Sequence, residues 1–544
     1  MTGPTLSKAT QQHLLFAATP SRRDLATYAA DWPLAPLAVH VVRNAQFESV
    51  AASAAPFLAH ADLAGDWSYS DYDDSLSLAG FDAAAGLVLV WLDYRRYSLD
   101  TPALIAFLAE RLAAMRARTD AAILIADDPD SPHAAALNAA LAATGVSGLF
   151  VYPRSAIAAR LGDAFHDARM AKLAGSDLSA AAGTLIAREL GLSWIPALVR
   201  PALKALALDL DNTLYSGVLG EDGAAGVVLT DEHRALQDRL VALQASGLLL
   251  ALVSKNEPED VEALFAARPD FPLRPDMITA RAIGWGSKRQ GLSAIAETLN
   301  IGVDAILFVD DNLGEIAQAE GLSALYAADP ATTLRALDLF PGLRSLRTGR
   351  EAALRAGDIA ANQERARLSG AGGDYRTALK PRLAFHQVDA SGVGRAHELS
   401  NKTNQFNLSL ARLTDAQAAA FAHDGAVVEA ALSDALSDSG VVMAMFARRE
   451  GDALNIEDLC ISCRALGRGI EDAMILEAAL TASSRLGAAS LAFRHATSSR
   501  NGPARTWLQT FSEAPLAESG FLTITLDAAR ARLDALPVDT HWDR

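Results

Sequence analysis

Residues 206–217 read LALDLDNTLYSG. An apolar run of strand length ends in Asp209 and Asp211, two carboxylates in alternate positions, followed by Asn212 and Thr213. Alternate positions of a strand share a face, so the two like charges are set side by side and one must be offset or pushed toward its neutral form. Burial alone gives a chain no reason to do this. The same pattern recurs between about 200 and 350: ALALDLD, GLLLALVS, AILFVDD and SALYAA are continuous apolar runs, each followed by a polar turn and a helical stretch. Such runs, separated by helices, predict a parallel sheet buried on both faces. Ligands of these sheets lie beyond the carboxyl ends of the strands. There the sequence places Asp209 and Asp211, Ser254 after LLALV, Lys288 at the start of a helix, and Asp310 with Asp311 after AILFV. Clustered carboxylates of this kind suit magnesium. A cation, a hydroxyl and a lysine meeting beside them form a site fit for phosphate.

The chain around this centre has three parts. Residues 1–195 carry the strand-like runs LAVHVV, GLVLVWLD, AAILIA and GLFVY between alanine-rich helical stretches such as TPALIAFLAERLAAMRAR, which predicts a first α/β domain. Residues 200–350 form the second. LSGAGGDY (368–375) reads as a linker, and from 376 to 544 the runs AVVEAAL, GVVMAMFARRE and ALNIEDLCIS arrive as hairpin-like pairs before a long helix, the mark of an α+β domain.

Composition narrows the functions. The formal charge of -17 opposes a polyphosphate backbone, although Arg344, Arg347 and Arg350 could form a local basic face. No apolar run is long enough for a membrane span, and the first residues lack a secretory pattern, so a cytoplasmic location is expected. Cys460 and Cys463 are the only cysteines, which excludes a disulfide framework. Their CxxC spacing has no second ligand pair to make a zinc site.

Four elements in order, DLDNT, the serine of VSK, a lysine and VDD, resemble the motifs of the haloacid dehalogenase (HAD) superfamily of phosphotransferases. The resemblance implies that Asp209 attacks phosphorus and that Asp211 protonates the leaving oxygen and then activates water. It implies a magnesium ion held by Asp209, Asp310 and the backbone carbonyl of Asp211, with Ser254 and Lys288 on the phosphoryl group and Asp311 in support. Forty-two residues separate Asp211 from Ser254 and 33 separate Ser254 from Lys288, too few for a large cap domain. An uncapped pocket must be closed by another domain or a bulky partner.

In the last domain ISCRALGRGIED places Arg464, Gly467 and Gly469 between a strand and a helix, and resembles the acyl-CoA loop of the GNAT fold, where backbone N–H groups at a helix start approach a pyrophosphate or phosphopantetheine arm. With NKTNQFNLS (401–409), the whole is similar to the FkbH-like HAD family, subfamily IIIC: a Rossmann-like HAD core flanked by an N-terminal flavodoxin/SGNH-like α/β domain and a C-terminal GNAT-like α+β domain. In the leading domain no GDS(L) nucleophile appears, and Asn44 and Asp93 are remnants at most. Members of the family imply a small phosphorylated acyl donor of glyceryl type, such as 1,3-bisphosphoglycerate, and an acyl carrier protein as partner. One position departs: Ala205 stands where glyceryl-loading members carry a cysteine, which leaves Cys463 as the family-typical thiol. Two rivals follow, a simple phosphatase on a sugar or glycan precursor with a non-catalytic GNAT-like module, and a docking scaffold with a vestigial core.

Overall fold

The computed structural model describes residues 3–346 except 73, 75–76 and 171–175, then 358, 361, 365 and 379–542 except 499 and 535–537. The linker at 368–375, Arg347 and Arg350 lie outside the described residues. Two compact units divide the chain, the first formed by Met1–Gln244, Leu250–Thr298 and Val303–Arg347, the second by Thr348–Arg544 with two short segments.

The first unit holds two parallel sheets. Strands β1 (Ala35–Arg43), β2 (Leu63–Tyr69), β3 (Leu87–Trp91), β4 (Ala122–Ala126) and β5 (Leu149–Tyr152) run in the order β2-β1-β3-β4-β5, every pair parallel. Helix Thr101–Arg116 covers this sheet with Leu104, Leu108, Leu112 and Met115, spaced to share one face. Its start is fixed by Asp100, whose carboxylate accepts from the Ala103 N–H, and by Pro102 in the first turn.

Strands β6 (Ala205–Leu208), β7 (Leu249–Ser254), β8 (Ile278–Ile283), β9 (Ile306–Asp310) and β10 (Ser323–Tyr326) form the second sheet in the order β10-β9-β6-β7-β8. Every residue of β6, β7 and β9 is buried. That is the physical meaning of their unbroken apolar runs. At the outer edge of β10 the first helix, Pro4–Leu15, brings in Gln12, whose carboxamide donates to the Ala324 carbonyl (2.8 Å) and accepts from the Tyr326 N–H (2.8 Å). Between Asp211 and Ser254 the chain makes helices Leu219–Gly226 and Asp231–Ala245, and between Ser254 and Lys288 it makes helix Pro258–Ala267 and β8. No cap domain is inserted at either point.

The second unit is a mixed seven-stranded sheet. Strands β11 (Arg382–Gln387), β12 (Ala426–Ser433), β13 (Asp438–Glu450), β14 (Ala453–Ile461), β15 (Ser490–Ala496), β16 (Ser519–Thr525) and β17 (Asp539–Trp542) take the order β16-β15-β14-β13-β12-β11-β17. Strands β12, β13 and β14 are the expected antiparallel series, and helix Glu471–Leu486 packs Met474, Ile475 and Ala478 into the core beneath them. Parallel pairing of β14 with β15 covers only Ala453 to Ile456.

Candidate active site

Strand β6 delivers Asp209 while still in the ladder, its N–H bonded to the Val309 carbonyl at 2.9 Å. The chain then turns through Asn212, at φ 53, and Gly217, at φ 114. Asparagine tolerates that left-handed geometry better than other side-chain-bearing residues. Its Oδ1 also accepts from the Gly217 N–H, which closes the turn. Ser254 ends β7 and Asp310 ends β9. Lys288 is placed by the helix it opens: Ser287 Oγ accepts from the Gln290 N–H and the Gln290 side chain accepts from the Ser287 N–H, a capping box at the helix start.

These ends converge. Lys288 Nζ, only 4% exposed in its side chain, lies 2.5 Å from Asp209 Oδ1 and 3.0 Å from Asp310 Oδ2, and donates to the Val253 carbonyl at 2.8 Å. Burial works against its charge, but the two carboxylates prevail and hold its pKa above the ordinary lysine value. The acids show the opposite balance. Burial pushes the Asp209 carboxyl up, and Lys288 and Ser254 pull it back only in part. Asp310 is raised by burial and by the like charge of Asp209. Asp311 rises to about 6 for the same two reasons.

Carboxylate oxygens of Asp209, Asp310 and Asp311 lie within 4.8 Å of one another. Asp310 Oδ2 is buried, with the Lys288 ammonium 3.0 Å away as its charged neighbour. Three hard oxygen donors gathered this closely fit a magnesium ion. Asp311, expected only in support, is thus a member of the cluster. The carboxylate of Asp211 is not, so a contribution of that residue to the metal would fall to its backbone carbonyl.

Asp211 is instead oriented by three donors: Tyr215 Oη (2.7 Å) and the Leu219 N–H (2.9 Å) on Oδ1, and Asn256 Nδ2 (3.1 Å) on Oδ2. Asn256 also donates to Ser254 Oγ at 3.1 Å. Tyr215 and Asn256 were not singled out by the sequence. Asn256 had a weak signal, as the third polar residue in the SKN run after a buried strand.

The second candidate constellation is engaged by its own chain. Gly467 (φ 76) and Gly469 (φ 70) adopt the left-handed backbone that glycine permits. Yet the Gly467 N–H donates to Glu471 Oε1 (2.7 Å), and Arg464 pairs with buried Asp358 at 3.3 Å. A pyrophosphate at this loop would have to displace a carboxylate. Beyond Ile456, where β14 leaves β15, residues 406–408 fill the gap. The Ile461 N–H donates to the Phe406 carbonyl, the Leu408 N–H to Leu459, and the Ala496 N–H to Leu408. Asp458 staples this segment through Ser400 Oγ (2.5 Å) and Ser409 Oγ (2.6 Å). Residues 406–409 of the NKTNQFNLS motif are thus held between strands. Cys460 is buried, with its thiol pKa pushed up by burial, and Cys463 is half-buried.

In the leading domain a cavity of about 170 Å³ lies at the carboxyl ends of the strands, with Ala45, Asp93 and Arg154 among its walls. Asn44 is a staple: its side chain donates to the Asp93 carbonyl and accepts from the Asp93 N–H. The Asp93 carboxylate is held by Arg95 and Arg96. Arg344 stacks on Trp194 and donates to Ser193 Oγ, while the other two members of the candidate basic face, Arg347 and Arg350, lie outside the described residues. Among the described residues no helix is long and apolar enough to cross a membrane.

No protein-family model matches the chain. No curated protein matches it either. Among solved structures, the N-terminal part of BF1531 from Bacteroides fragilis, which contains a phosphatase domain and is complexed with Mg, aligns with 61% of this chain and 99% of its own length, at 19% identity and a TM-score of 0.47. A Mesorhizobium loti protein described as a HAD-like phosphatase aligns with 27% of this chain and 90% of its own, at 16% identity and a TM-score of 0.20. Neither likeness is strong enough to assign a site.

Proposed function

We propose that the chain is a magnesium-dependent phosphatase of HAD type that uses Asp209 as its nucleophile. One observation carries this reading: Lys288 Nζ is buried between Asp209 and Asp310 beside Ser254, so residues from separate strand ends build one anionic pocket around a cation. A bound magnesium ion would be held by Asp209, Asp310 and Asp311 and would supply positive charge to a phosphoryl group. Asp209 attacks phosphorus while the bond to the leaving oxygen breaks, and Asp211 gives that oxygen its proton. Water then attacks the aspartyl-phosphate, Asp211 takes the water's proton, and phosphate leaves with Asp209 restored. Ser254 donates to the phosphoryl oxygens, and Lys288 balances their charge. Asp209→Asn should lower phosphate release from acetyl phosphate by about 1,000-fold or more. Full release by that variant would overturn the assignment.

Loading of a glyceryl unit on an acyl carrier protein has its support in the family resemblance. Two observations favour the rival, a phosphatase acting on a sugar or glycan precursor with a non-catalytic C-terminal module. Ala205, fully buried at the start of β6, offers no thiol, and the gap beside β14 is filled by residues 406–408. Mass spectrometry of a carrier protein incubated with enzyme and 1,3-bisphosphoglycerate separates the readings, since a glyceryl adduct appears only under the first.

A further inference from the structure

Trp285 is 71% exposed, more than any other large apolar side chain among the described residues. It stands in the turn Gly284–Ser287, between β8 and the helix that begins with Lys288. The Gly284 N–H donates to the Ser254 carbonyl at 3.0 Å, which hangs this turn on the strand end that supplies the candidate phosphate-binding hydroxyl. The indole Nε1 donates to Glu257 Oε1 at 2.7 Å, three residues beyond Ser254. A side chain built on Gly284 would meet nothing within 4 Å, so the space beside that residue is open. Glu257 precedes helix Pro258–Ala267 without capping it with its side chain, and the indole is the partner its carboxylate takes instead. The result is an aromatic ring pinned by its one polar atom at the rim of an uncapped phosphate site.

An indole in water leaves a large apolar area to be covered. Of the other exposed large apolar side chains only Val228 lies between residues 200 and 346, which is far from the several hundred Å² of a protein-docking patch. One ring matches one cyclic group. A carboxylate stands next to it, and that selects among rings. A sugar presents a C–H face to the indole and hydroxyls at its edge to Glu257, whereas a ligand with further phosphates would meet repulsion there.

We propose that Trp285 is the leaving-group platform: the ring of a sugar phosphate stacks on the indole, and a hydroxyl donates to Glu257, while the phosphoryl group enters the pocket of Asp209, Ser254 and Lys288. This rests on the phosphatase reading above. The test is kcat/KM for glucose 1-phosphate relative to that for acetyl phosphate, which has no ring to stack. Trp285→Ala lowers this ratio by about 10-fold or more, the worth of one apolar contact in a specificity pocket, and Trp285→Phe restores most of it. An unchanged ratio overturns the platform, and a fall confined to adenosine 5′-monophosphate overturns the sugar assignment. Binding is read separately in Asp209→Asn protein, where glucose 1-phosphate should change tryptophan fluorescence saturably, and the further substitution Trp285→Phe should abolish the change. Absence of that change in Asp209→Asn protein, or its survival after Trp285→Phe, with acetyl phosphate still hydrolysed by the wild type, defeats the platform alone. The change in Asp209→Asn protein, with a wild type that releases phosphate from no substrate, defeats the phosphatase reading alone.

Discussion

Replacing Lys288 with methionine removes a buried ammonium and leaves Asp209 and Asp310 facing each other. At an effective dielectric of about 20, charges at the two observed separations attract by roughly 5–7 kcal/mol each before desolvation is counted. Removing one partner of such a buried pair costs about 3–5 kcal/mol net. That is about 4–7 °C in Tm for a unit of this size. Protonation can relieve part of the loss, because both acids are already raised by burial. A carboxyl whose folded pKa lies above its unfolded value stabilises the fold below the unfolded value, and the benefit is lost as pH rises through the folded one. The variant should therefore approach wild-type stability at pH 6 and fall progressively behind it toward pH 8.5. Urea unfolding in EDTA, followed by circular dichroism at several pH values, measures this. Added magnesium should then raise the variant's midpoint more than the wild type's, since the ion replaces a missing charge. A loss below about 0.5 kcal/mol at pH 8.5, or one independent of pH, would refute the idea that the ammonium offsets these carboxylates.

Asn256→Ala removes donors to Asp211 and Ser254; with each hydrogen bond near 1 kcal/mol, kcat for phosphate release should fall about 30-fold while far-UV circular dichroism is retained. His60, buried between Phe16 and Phe340, has its pKa pushed down to about 3 by burial. Its folded value lies below the unfolded one near 6.5, so stability is full above that pH and is lost by up to about 4–5 kcal/mol as pH falls toward 3. His60→Phe should flatten the acid limb of a stability-pH curve, and an unchanged limb would assign acid unfolding elsewhere. Ser409→Ala strips one of the two hydroxyls from buried Asp458 and should cost the second unit about 1–3 kcal/mol in denaturant unfolding. Stability equal to wild type would mean Ser400 alone satisfies that carboxylate.

Strands buried on both faces were legible in the sequence, because LVLVW and ILFVD need no neighbour to declare themselves. The edge strands β5 and β10 were also legible as GLFVY and SALYAA, but two other edges were not: β2, LAGDWSY, and β8, ITARAI, are half exposed and carry charged or small residues that dilute the apolar signal. The candidate site was legible for a related reason. Carboxylates placed at the end of a buried strand are costly, and costly placements stand out. Their supports leave no such trace, since Tyr215 and Asn256 each act through hydrogen bonds that any loop residue could make. Least legible was the fate of the second motif. Arg464, Gly467 and Gly469 fit an anion loop by local pattern, whereas Glu471 and Asp358, which engage it, and residues 406–408, which fill the gap beside β14, are matters of three-dimensional proximity.

The carboxamide of Gln12 meets β10 as a single peptide unit of a sixth strand would, with one donor and one acceptor in register. A chain trimmed to begin near residue 200 would lose that guard and bare the outermost N–H and C=O groups of the second sheet, an invitation to pair with another copy. The leading region thereby shields one edge of the second sheet.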